Sequence, residues 1–167
     1  MNKTILQEYA KLIARCGVNV QKGQEVLINC GLDQPEFVAM VVEEAYKAGA
    51  GKVTVNWNYQ PLTRLHAEFQ EIESLGAVYE WEKVKLQHYV DTVPCRIHLI
   101  SDDPDGLKGV NTAKLAKGRQ MSYPIVKPYA DARNGKEQWC GAAVPGVAWA
   151  KKLFPNLSKN QAVEKLW

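Results

Sequence analysis

Residues 25–57 read EVLINCGLDQPEFVAMVVEEAYKAGAGKVTVNW, and this stretch decides the fold. Glu25–Cys30 is a short, largely apolar run, the pattern of a strand buried on both faces. Asp33 stands as an N-cap, with Glu36 three residues later in capping-box position. The helix it opens carries Phe37, Met40, Val41 and Ala45 at helical spacing. Gly49 and Gly51 end it, since glycine takes the left-handed conformation without steric cost. Val53, Val55 and Trp57 then alternate with polar residues as a second strand. Strand, helix and strand within about 33 residues predict a right-handed βαβ unit with parallel strands.

The pattern extends in both directions. Upstream, Ile5, Tyr9, Leu12, Ile13 and Cys16 lie at helical spacing and Gly17 stops them. Downstream, Pro61 opens a helix with the apolar stripe Leu62, Leu65, Phe69 and Ile72. Residues 80–91 read as helix. Cys95, Ile97 and Leu99 alternate as a third strand. Asp102, Asp103, Pro104, Asp105 and Gly106 make a turn. A helix over 110–121 is followed by residues 122–137, where Pro124 and Pro128 predict irregular chain or a broken helix. Residues 138–144 form a fourth strand, and helices over 147–154 and 159–167 close the chain, the second with Ser158 as N-cap and Gln161 in capping-box position. The whole predicts an α/β domain over residues 1–167 with a mainly parallel sheet of about four or five strands flanked by helices.

Composition narrows the function. At 167 residues the chain hides roughly 70% of its unfolded surface and needs no staple. A formal net charge of +3 is too small to argue for nucleic acid. Lys108, Lys114, Lys117 and Arg119 read as a solvated helix face. The four cysteines (Cys16, Cys30, Cys95, Cys140) form no close pair, the N-terminus is amphipathic and broken by charges, and no run of 18 apolar residues occurs. These features predict a cytoplasmic protein with reduced thiols and no membrane association.

One local pattern carries chemistry. His66 and Glu68 form H-x-E, and Pro94, Cys95 and His98 follow where zinc deaminases place P-C-x-x-C. His98 stands where the last cysteine belongs, and Cys95–Ile100 alternates like a strand, which sends Cys95 and His98 to opposite faces. His66, on an apolar stripe, reads as a core or boundary histidine. A zinc-dependent nucleobase or nucleoside deaminase is thus an alternative, and a stand-alone non-enzymatic α/β binding module is another. Residues 101–106 resemble a calcium loop only in part and read as a turn. Gly49, Gly51 and Lys52 lack phosphate-loop spacing. Trp57, Trp81, Trp139, Trp149 and Trp167 read as core or interface aromatics. The last helix has the apolar face Ala162, Val163, Leu166 and Trp167 and no C-cap residue. That predicts a partner now missing, and an exposed apolar patch near Trp149, Phe154 and Trp167.

Several segments, in order, resemble the thermophilic metalloprotease family of aminopeptidases (the aminopeptidase T and S type). These are residues 6–10 (LQEYA), 17–24 (GVNVQKGQ), 44–50 (EAYKAGA) with 53–55 (VTV), then Trp139, Val144 and Pro145, 149–151 (WAK), Phe154 and Pro155, and 162–167 (AVEKLW). The resemblance implies a homodimeric enzyme that removes N-terminal residues from peptides with two divalent metals, zinc or cobalt. It also implies that those metals are held by a C-terminal domain not contained in this chain, which would then be an accessory N-terminal domain, inactive alone. No position here matches the family's metal-binding motifs, so no catalytic, cofactor-binding or metal-ligating residue is assigned.

Overall fold

Glu25–Gly31 forms β1, Lys52–Asn58 β2, Cys95–Ile100 β3 and Trp139–Ala143 β4 in a computed structural model that describes residues 2–167. All three pairings are parallel, in the order β2-β1-β3-β4. Register places Val26 beside Val53 and Cys95, and Ile28 beside Val55 and Ile97. The predicted α/β class and parallel sheet are therefore present, with four strands.

The helices are α1 (Lys3–Leu12), α2 (Pro35–Ala48), α3 (Gln60–Phe69), α4 (Ile72–Gly76), α5 (Glu80–Thr92), α6 (Thr112–Arg133), α7 (Val147–Leu153) and α8 (Lys159–Leu166). They divide between two compact units. The first holds residues up to Tyr59, Pro94–Gly106 and Gln138–Trp167, and contains the whole sheet with α1, α2, α7 and α8; the second holds Gln60–Val93 and Leu107–Glu137, with α3 to α6.

In the first unit, Ala10, Ile13, Ala14, Phe37, Val38, Val41 and Ala45 of the two N-terminal helical segments pack on Val26, Ile28, Cys95, Ile97 and Leu99 of the sheet. Helix α1 does not run unbroken to Cys16: after Leu12 the chain makes a π-helical turn, Ile13–Gly17. Gly17 there faces β4, where a Cβ would lie 2.7 Å from Cys140 Sγ. The end of α2 follows prediction. Gly49 adopts φ 112°, its amide donates to the Tyr46 carbonyl and the Ala50 amide donates to the Ala45 carbonyl, which satisfies the last-turn acceptors.

Glu44 is the buried charge of this unit. Its Oε1 accepts from Gln7 Nε2 and Lys47 Nζ, each at 2.9 Å, and Arg15 Nε lies 3.9 Å from Oε2. Lys47 first, then Gln7, hold its carboxyl below the ordinary carboxylate range, against the opposing effect of burial. A depressed folded value means that the stabilisation is complete above the unfolded carboxylate pKa and is lost as pH falls through the folded one. Glu44→Gln is expected to lower stability at neutral pH by about 1–2 kcal/mol and to flatten the acid limb of a urea-midpoint-versus-pH curve. An unchanged acid limb would contradict the role given to Glu44.

In the second unit, α4 meets α6 at glycine. A Cβ on Gly76 would lie 2.7 Å from Met121 Cβ, and one on Gly118 2.9 Å from Leu75 Cβ. Close approach explains a glycine inside a helix, where it otherwise costs about 1 kcal/mol. The expected break at residues 122–137 is absent. Asn111 caps α6 through the Lys114 amide at 3.0 Å, and the helix runs through both Pro124 and Pro128 to Arg133. Packing against α4 and α5 overrides the local preference, a tertiary effect that no proline count reveals.

Candidate functional site

The strand order places a topological switch between β1 and β3: from β1 the sheet grows toward β2, and from β3 it grows the other way toward β4. In open α/β sheets the carboxyl ends of such strands splay apart and leave a crevice. Here Asp33 follows β1, Ser101 follows β3, and Pro145 and Gly146 follow β4. Ser101 is 5% exposed, and its Oγ donates to Asp33 Oδ1 at 2.6 Å. Asp33 Oδ2 lies 3.4 Å from Gln34 Nε2. Two glycines admit this carboxylate: a Cβ on Gly31 would lie 2.5 Å from Asp33 Oδ1, and one on Gly146 2.5 Å from Oδ2. Behind it, burial first and the Asp33 charge second push the Cys30 thiol up to about 11, so it stays protonated at neutral pH.

A cavity of about 280 Å³ adjoins this carboxylate. Leu6, Phe37, Met40, Val163 and Trp167 give its apolar wall, and Asp33, Gln34 and Glu36 its polar edge. Trp167 meets Tyr9 and Phe37 edge-on at centroid distances of 5.8 Å, and Tyr9 stacks on Phe37 at 5.7 Å. Sequence reasoning missed this arrangement because it gave Asp33 to helix α2 as N-cap. Gln34 occupies that position, without a side-chain capping bond. Pro35 at the start of α2 has no amide to satisfy, and the Asp33 carboxylate turns to Ser101, a residue 68 positions away.

The deaminase-like residues do not form a site. Cys95, Ile97 and Leu99 are buried while Arg96, His98 and Ile100 alternate with them, so Cys95 and His98 point to opposite faces of β3. Burial raises the Cys95 thiol to about 11, the reverse of what a zinc thiolate needs. His66 is exposed rather than core or boundary, because the stripe it shares on α3 is itself exposed: Leu62, Leu65 and Phe69 all face outward, Phe69 at 73%. Its Nδ1 lies 3.2 Å from Gln70 Nε2. Among the described residues no three His, Cys, Asp or Glu side chains come together as a metal-binding group. The residues present do not fit a catalytic metal, and no catalytic step is derived through one. Equilibrium dialysis with zinc should give the same binding for the native chain and for His98→Ala; a stoichiometric zinc lost on that substitution would restore the deaminase reading.

The remaining expectations divide. Residues 103–106 do form a turn, with the Asp105 amide donating to Asp103 Oδ1 at 2.9 Å. Lys152 pairs with Asp105 at 2.8 Å. Of the apolar patch expected near Trp149, Phe154 and Trp167, those three rings are themselves half-buried, while Val147 and Leu153 beside them in the chain are exposed; Trp139 on β4 is 66% exposed, and Trp57 and Trp81 are also exposed. No helix among the described residues is long and apolar enough to cross a membrane.

Comparison with known proteins gives a consistent result. Aminopeptidase AmpS of Bacillus subtilis (strain 168) is 32% identical over 163 residues, which is 97% of this chain and 40% of that protein. Aminopeptidase PepS of Streptococcus thermophilus is 35% identical over 170 residues, 99% of this chain and 40% of that protein. The solved structure of wild-type AmpT from Thermus thermophilus superimposes with a TM-score of 0.86 at 28% identity, covering 99% of this chain and 42% of that one. The chain thus spans about 40% of the length of the curated relatives it matches. With residues 2–167 also matching the thermophilic metalloprotease (M29) family, the chain belongs to that family.

Proposed function

We propose that this chain is the accessory N-terminal domain of a metal-dependent aminopeptidase, an enzyme that removes N-terminal residues from peptides. The observation that carries the reading is coverage: relatives named as aminopeptidases match 97–99% of this chain with only about 40% of their own length. A two-metal peptidase needs clustered carboxylate and imidazole ligands to polarise the scissile carbonyl and to generate hydroxide near neutral pH. In this reading the ligands, for zinc or cobalt, lie in a further C-terminal domain of the parent enzyme. The peptide is the substrate of that whole enzyme, which is a cytoplasmic homodimer, and this domain restricts access to its active site.

The test is an activity comparison. Leucine para-nitroanilide is offered, with zinc or cobalt, to this chain alone and to the natural protein that contains it. Hydrolysis by the natural protein, abolished by a chelator and absent from this chain alone, is the expected result. Metal-dependent hydrolysis by this chain alone, or none by the natural protein, overturns the proposal.

A further inference from the structure

We draw no further inference here: the strongest candidate, the apolar groove of about 400 Å³ in the second unit formed by Trp81, Leu86 and Tyr89 of α5 with Val126 of α6, is lined by one acid and one base, Glu82 and Lys85, whose charges cancel, and nothing in the structure shows what covers it.

Discussion

Phe37→Ala should destabilise the sheet-containing unit by about 3–5 kcal/mol, a large fraction of the roughly 5–15 kcal/mol that holds a typical domain folded. Phe37 is 3% exposed and belongs to the core that joins α2 to the sheet. It also meets both Tyr9 and Trp167, so truncation removes two ring contacts along with the buried area. Urea denaturation followed by tryptophan fluorescence measures the loss. Trp167→Ala should cost less, since that ring is only half-buried. The double variant should fall short of the sum, because the second truncation removes a contact already gone. Additive losses would show that the three rings do not act as one cluster.

Gly51→Ala is the second large effect, expected at about 1–3 kcal/mol or more. A Cβ at Gly51 would lie 2.6 Å from the Gly23 carbonyl oxygen and 3.0 Å from its carbon, both backbone atoms that cannot swing aside. The Gly51 amide meanwhile donates to the Gln24 carbonyl at 2.9 Å, which ties the start of β2 to the turn before β1. Gly23→Ala is the control. Its φ of 77° carries a strain of about 1 kcal/mol, and no atom lies within 4 Å of its added Cβ. Thermal denaturation should therefore rank Gly51→Ala below Gly23→Ala; the reverse order would place the cost in backbone strain instead of collision.

Local signals carried the fold far. The apolar run at Val26–Cys30, the alternation at Cys95, Ile97 and Leu99, and the glycines after α2 each report on neighbours a few residues away, and each is found as expected. The capping box at Ser158 and Gln161 is present for the same reason. What failed depended on distant packing. Helix α6 passes through Pro124 and Pro128 because α4 and α5 lie against it, and Asp33 leaves the helix end for a hydroxyl contributed by the segment after β3. The cavity beside Asp33 has the same cause: its lining comes from α1, the start of α2, the chain after β4 and α8, which lie far apart in sequence. The exposure of Leu62, Leu65 and Phe69 could not be read from their spacing either, since a helical stripe predicts an apolar face without naming what covers it.

The exposed aromatics and aliphatics divide between the units. In the first, Trp139, Val147 and Leu153 stand out; in the second, Phe69, Trp81 and Val84 do. Exposed apolar side chains that gather into a large patch mark interaction surfaces in soluble proteins, and the accessory role proposed above would give such a surface a partner.

The most direct measurement is the intact mass and metal content of the natural protein, captured from its source with an antibody raised to this domain. The account predicts a mass well above the 18.7 kDa of this chain, with divalent metal bound and lost on chelation. A natural protein of 18.7 kDa that carries no metal would contradict it.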